Sequence, residues 1–110
     1  MKNVKVKTKE SLTNALLSKL RTETVAVIHS AYEDEPRTVA LVNVDKSLST
    51  KKKLEKAFML TNSVNDAWYT NEELVYMGPE KSCRSTMAGD YVKFENGKKF
   101  KCEHAGWSEV

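Results

Sequence analysis

The side chains best suited to nucleophilic or metal chemistry are few: Cys83, Cys102, His29 and His104. His104 lies two residues after Cys102, but a Cys-x-His pair falls short of the four tetrahedral ligands that zinc takes. Adding Cys83 still leaves that set incomplete. A thiol nucleophile needs a base and an electropositive setting. Cys83 has Lys81 and Arg84 beside it, yet no histidine is near it in the sequence. His29 sits inside an apolar run and reads as a satisfied sheet histidine. The two cysteines read as free thiols, with Cys102 a small core residue. No phosphate-loop spacing, glycine-rich dinucleotide motif or paired-carboxylate arrangement is present. The expectation is therefore a non-enzymatic protein with no catalytic residue, no metal and no cofactor.

Binding chemistry is better represented. The turn Arg84-Ser85-Thr86-Met87-Ala88-Gly89-Asp90 carries hydroxyls, a glycine and a guanidinium. Such a turn presents backbone N–H groups to an anion, with Arg84, Ser85, Thr86 and Gly89 as the candidate contacts. The alternative is that Ser85, Thr86 and Asp90 hydrogen-bond the loop to itself. Trp68 and Tyr69 stand between polar residues and are candidate exposed anchors for a partner, since tryptophan and tyrosine dominate interface energetics; the alternative is that at least one of them packs in the core. Lys51, Lys52 and Lys53 occupy the first turn of a helix, where the dipole disfavours cations, a local conflict of the kind tolerated at binding surfaces; the alternative is a solvated lysine-rich face.

The elements that must position these groups follow from periodicity. Residues 4–9 alternate apolar and lysine or threonine, the pattern of a half-buried strand. Residues 10–21 switch to helical period, with Leu12, Ala15, Leu16 and Leu20 on one face. Residues 24–32 and 37–44 are two β-rich runs joined by the acidic break Glu33-Asp34-Glu35-Pro36, a hairpin expected at the centre of the sheet. A second helix begins at Ser49 and runs to about Asn62, burying Leu54, Ala57, Phe58 and Thr61. A short strand follows at 74–77. The register of the last hairpin is set by burial: a three-residue loop Glu95-Asn96-Gly97 pairs Val92 with Phe100. Val92, Phe94, Phe100 and Cys102 then share one face, and Lys93, Lys99 and Lys101 the other. The fold class is α+β, a mostly antiparallel sheet with two helices packed on one face and a C-terminal β-hairpin.

At this length one domain is expected, a β-α-β-β part over 1–45 followed by a helix and a C-terminal β module over 46–110. The net charge of +3 resolves into alternating blocks, +5 over 1–21, −4 over 22–45, +4 over 46–56, −4 over 57–80 and +2 over 81–110. A polyanion binder concentrates its cations in one stripe, so this alternation disfavours nucleic acid as the first reading. No apolar run approaches the roughly 20 residues that cross a bilayer, and the start of the chain has no signal-peptide character. A cytoplasmic protein is expected.

Segment 84–110 resembles the C-terminal module of a group of small phage and mobile-element proteins. It is similar also to the YodL-like domain of large polyvalent proteins. Their shared pattern is an R-S-x-S-V-G-D-V-V turn and strand, a glycine-containing hairpin, a strand with cysteine, and a final G-F-x-x-I. The matching residues are Arg84, Ser85, Thr86, Gly89, Asp90, Val92, Gly97, Phe100, Cys102, Gly106, Trp107 and Val110. The helix over 54–63 and Trp68 after it resemble the segment preceding that module. Met87-Ala88 stands where S-V is usual, and Trp107 where phenylalanine is. The resemblance implies provenance and fold without a reaction: a small accessory protein, acting in the cytoplasm of an infected bacterial host, that binds and modulates a host or defence protein. Residues 1–45 match nothing in that pattern and are the part expected to differ with the target. The alternatives are a nucleic-acid binder using Lys5, Lys7, Lys9, Lys51 to Lys53, Lys93, Lys99 and Lys101, or an anionic-ligand module using the 84–90 turn.

Overall fold

The computed structural model describes residues 20–63 and 67–110. The strand expected over 4–9, and the helix expected over 10–21 save its last two residues, lie outside them. Six strands form one sheet: β1 (Thr22–His29), β2 (Arg37–Asp45), β3 (Leu74–Tyr76), β4 (Tyr91–Lys93), β5 (Lys99–Glu103) and β6 (Gly106–Glu109). Their order is β3-β2-β1-β4-β5-β6, and every neighbouring pair is antiparallel. The expected central hairpin is β1–β2, and it takes the second and third places. Two helices were expected on one face; the helical residues among the described ones are α1 (Thr50–Leu60), a single 3-10 turn, Trp68–Thr70, and Leu20 and Arg21 directly before β1.

Local sequence explains each boundary. Ser49 caps α1, its hydroxyl accepting from Lys52 N–H at 3.2 Å. Leu54, Ala57 and Leu60 recur at helical spacing and are buried in one core cluster with Val25, Val27, Val42 and Val92 of the sheet. β1 buries Val25, Val27 and His29 on the same face. A register shift between Val27 and Ile28 puts an extra residue into β2, which is why Val39 and Ala40 are both buried. The last hairpin has the expected register, with Val92 opposite Phe100 and Lys93 opposite Lys99. Phe94 N–H donates to Lys98 O at 2.8 Å, and Gly97 closes the loop at φ +92°. Phe94, Val92 and Cys102 are buried; Phe100 is half-buried against the same core. Among the described residues no helix is long and apolar enough to cross a membrane.

Candidate functional site

The 84–90 turn meets the end of β1 because β4 begins at Tyr91, opposite Ile28. Asp90, one residue before β4, continues the inward period of Val92 and Phe94 and is fully buried. Its Oδ1 accepts from Ser30 N–H (2.8 Å), Ala31 N–H (3.0 Å) and Arg84 Nη2 (2.8 Å). Its Oδ2 accepts from Arg84 Nη1 (2.7 Å) and Met87 N–H (2.8 Å). The pairing with Arg84 is a bidentate fork, the strongest geometry for these two groups. Arg84 Nη2 also donates to Glu33 Oε1 at 2.8 Å, and the guanidinium lies 5.7 Å from the Tyr32 ring centroid. Burial alone would raise the Asp90 carboxyl. The Arg84 guanidinium and the amides of Ala31, Ser30 and Met87 outweigh it and hold that carboxyl at about 2.

This arrangement corrects the anion-cradle expectation for Arg84, Ser85, Thr86 and Gly89. The anion in the turn is the protein's own Asp90. Thr86 N–H donates to Thr61 O (3.0 Å) and Gly89 N–H to Cys102 O (2.9 Å), while Ser85 Oγ accepts from Ser63 N–H (2.9 Å). Gly89 is required here on two counts. Its φ is +99°, and a Cβ would stand 2.9 Å from the Ala31 Cβ. Gly97 shares the positive φ but has open space around it. Gly89→Ala is therefore expected to lower stability by about 3 kcal/mol and Gly97→Ala by about 1 kcal/mol in urea unfolding. Equal effects would remove the steric argument.

Cys83 is not far from a histidine in space, although it is in sequence. Its Sγ lies 3.7 Å from His29 Nδ1. The other ring nitrogen, Nε2, is 3.0 Å from Thr86 Oγ1, and the remaining bonds fix the tautomer. Thr61 Oγ1 donates to Ala57 O at 2.8 Å, so it accepts from Thr86 Oγ1 at 2.7 Å. Thr86, having donated there, accepts from His29 Nε2–H. Nδ1 is then the free lone pair, 3.7 Å from the Cys83 sulfur. Sequence reasoning missed this pairing because 54 residues separate the partners. One signal was available: His29 falls in step with Val25 and Val27, and a core-facing imidazole demands polar partners.

What the chain of groups can do is set by its charge state. Burial pushes the His29 imidazole down, against the pull of Asp90, whose Oδ2 is 3.8 Å from Nε2. Burial pushes the Cys83 thiol up. Both shifts oppose a thiolate–imidazolium pair, so the chain serves to satisfy buried polar groups beside the core. Cys102 is buried and free, and His104 is exposed at the β5–β6 turn. Among the described residues no three His, Cys, Asp or Glu side chains stand close enough to hold a metal ion.

The expected exposed anchors are also corrected. Trp68 is only 3 % exposed. Its Nε1 donates to Arg84 O (2.9 Å) and Cys83 O (3.2 Å), and its ring packs edge-on against Tyr76 and Tyr69. Tyr69 is half-buried in that aromatic cluster. The three lysines of α1 have separate fates. Lys53 is mostly buried and pairs with Glu23 at 2.6 Å. Lys52 is exposed. Lys51, 81 % exposed, has a 3.9 Å contact with Glu55, the kind of exposed i,i+4 pair worth about 0.3–0.5 kcal/mol. Lys51 also lines a groove of about 300 Å³ with Thr50, Leu54, Phe100, Gly106 and Trp107.

Both α1 and Trp68 pack on the valine face of the sheet. The reverse face follows from the strand register. Ala26 stands between Leu41 and Lys93, with Val75 beyond Leu41. Ile28 stands next to Tyr91, and Lys101 follows. Among the described residues no helix covers this face. It carries a small apolar centre flanked by Lys93, Lys99 and Lys101, and Lys99 Nζ lies 4.7 Å from the Tyr91 ring centroid. Comparison of the chain with known protein families, with curated proteins and with solved structures gave no match.

Proposed function

We propose that this is a non-enzymatic accessory protein of phage or mobile-element type. It acts in the cytoplasm of an infected bacterial host, by binding and modulating a host or defence protein. The observation that supports the reading is the reverse face of the sheet. Apolar Ala26, Ile28, Leu41 and Val75 adjoin a row of three lysines, a composition suited to an acidic protein surface with an apolar centre. The resemblance of segment 84–110 supplies the provenance. Trp68, Tyr69 and Lys53 drop out of the proposed interface, because they are wholly or partly buried and engaged.

A nucleic-acid reading draws on the same lysines together with Tyr91. Two observations make it second. Lys99 already lies over the ring that a base would stack on. The lysines of α1 lie on the other layer, so the cations do not join into one stripe. The anionic-ligand alternative loses its support because Asp90 occupies the turn.

The test is capture with tagged protein from nuclease-treated host lysate. One protein is expected at stoichiometric level, reduced about tenfold or more by the double variant Lys93→Glu/Lys101→Glu, with unchanged thermal melting. Capture that survives the double reversal, or that vanishes with nuclease, would overturn the protein-partner reading.

A further inference from the structure

β6 is the last strand in the sheet order, so its outer edge has no neighbouring strand among the described residues. The register says which backbone groups lie on that edge. Val110 N–H donates to Lys99 O at 2.9 Å, and Ser108 and Gly106 face Lys101 and Glu103. Hydrogen-bonded pairs alternate in an antiparallel ladder. Residues 106, 108 and 110 therefore turn their backbone toward β5, and Trp107 and Glu109 turn theirs outward. Natural edges are guarded by lysine, proline or a bulge. Gly106-Trp107-Ser108-Glu109 has no lysine, proline or bulge, and its guards are its shortness and the single charge of Glu109.

The groove of Thr50, Lys51, Leu54, Phe100, Gly106 and Trp107 runs beside this edge. No acidic residue stands in the first turn of α1, where Lys51 carries little beyond its exposed contact with Glu55. A strand added to this edge with a carboxylate on its core face would set that carboxylate beside the groove, and β6 of a second copy is such a strand. Trp107 is opposite Cys102 and Glu109 opposite Phe100, so both side chains lie on the core face.

We propose that two copies of this chain join edge to edge through β6. The pairing is antiparallel about a two-fold axis at Ser108, with Trp107 of each copy opposite Glu109 of the other. The outward N–H and C=O groups of these residues satisfy one another. Each Glu109 carboxylate reaches the other copy's groove, near Lys51 and the positive end of α1. With so short a strand the dimer is weak and concentration-dependent.

Sedimentation velocity over a rising concentration series tests this without any host partner, so its outcome is independent of the proposed function. The wild type is expected to pass from monomer to dimer. Lys51→Glu and Glu109→Lys each bring like charges together twice, and each is expected to weaken the dimer about tenfold or more. Lys51→Glu also suits the helix start, so folding is not at risk. An equimolar mixture of the two variants restores opposite charges at both contacts and should recover a heterodimer. Glu109→Pro removes an outward N–H while leaving the bonds to β5, and should be monomeric with an unchanged melt. A wild type that stays monomeric would overturn the proposal. So would a dimer that tolerates Glu109→Pro, or a mixture that fails to recover association.

Discussion

Asp90→Ala is expected to destabilise the protein by about 3–5 kcal/mol, the usual cost of removing one partner of a buried ion pair. The carboxylate is fully buried and accepts from three backbone amides and both Nη groups of Arg84. Without it the amides of Ser30, Ala31 and Met87 lose their acceptor, and the guanidinium keeps only Glu33 and the Ser85 carbonyl. Asp90 also ties three segments together: the end of β1, the 84–87 turn and the start of β4. The effect on pH dependence has a definite sign. The folded carboxyl is held at about 2, below its ordinary 3.8, so its contribution is present above the ordinary value and is lost as pH falls from about 4 through about 2. A shift of that size corresponds to about 2 kcal/mol at neutral pH. Urea unfolding between pH 2 and pH 7 should show this acid loss in the wild type and lack that component in Asp90→Asn. An Asp90→Ala variant within about 1 kcal/mol of wild type would mean that the buried fork contributes little.

The turn around Asp90 shows where sequence reasoning reached and where it stopped. The β4–β5 hairpin was legible because one-sided burial leaves a single register that places Val92, Phe94 and Cys102 inward. The same register puts Lys93 opposite Lys99, so the basic row was legible with it. Helix α1 was legible from its cap and its spacing. The period-two argument that buried Val92 extends back to Asp90, which makes a core-facing carboxylate and implies an internal cation. Arg84, six residues away, is that cation. Of the two readings of the turn, an anion receptor for an outside ligand or a loop bonded through its own side chains, the bonds of Asp90 to Arg84 and Met87 match the second. The Cys83–His29 contact was not legible by local means, because it depends on β1 and β4 being neighbours. That neighbour relation is a long-range choice of the sheet, fixed by packing and not by spacing. The β6 edge and its groove were hidden for the same reason, since Leu54 and Trp107 meet only when α1 lies across the sheet.

For Trp68 the core alternative holds against the exposed-anchor reading, because tertiary packing and not the polarity of its sequence neighbours decides burial. Trp68→Ala is expected to cost about 3–5 kcal/mol, as for other fully buried aromatic truncations. The ring is edge-on to His29 (6.2 Å), Tyr69 (6.0 Å) and Tyr76 (5.5 Å), so the lost volume sits where the aromatic cluster meets the buried polar chain. Trp68→Phe separates the two contributions. It keeps most of the ring but leaves the part-buried carbonyls of Cys83 and Arg84 without their indole donor, which costs about 1 kcal/mol. Those two carbonyls fasten the start of the 84–90 turn to the core. Hydrogen exchange in Trp68→Phe should therefore quicken first at the amides of Thr86 and Met87 and leave those of β2 protected. A surface anchor would behave in the opposite way: Trp68→Ala would leave the unfolding midpoint unchanged and act only on partner capture.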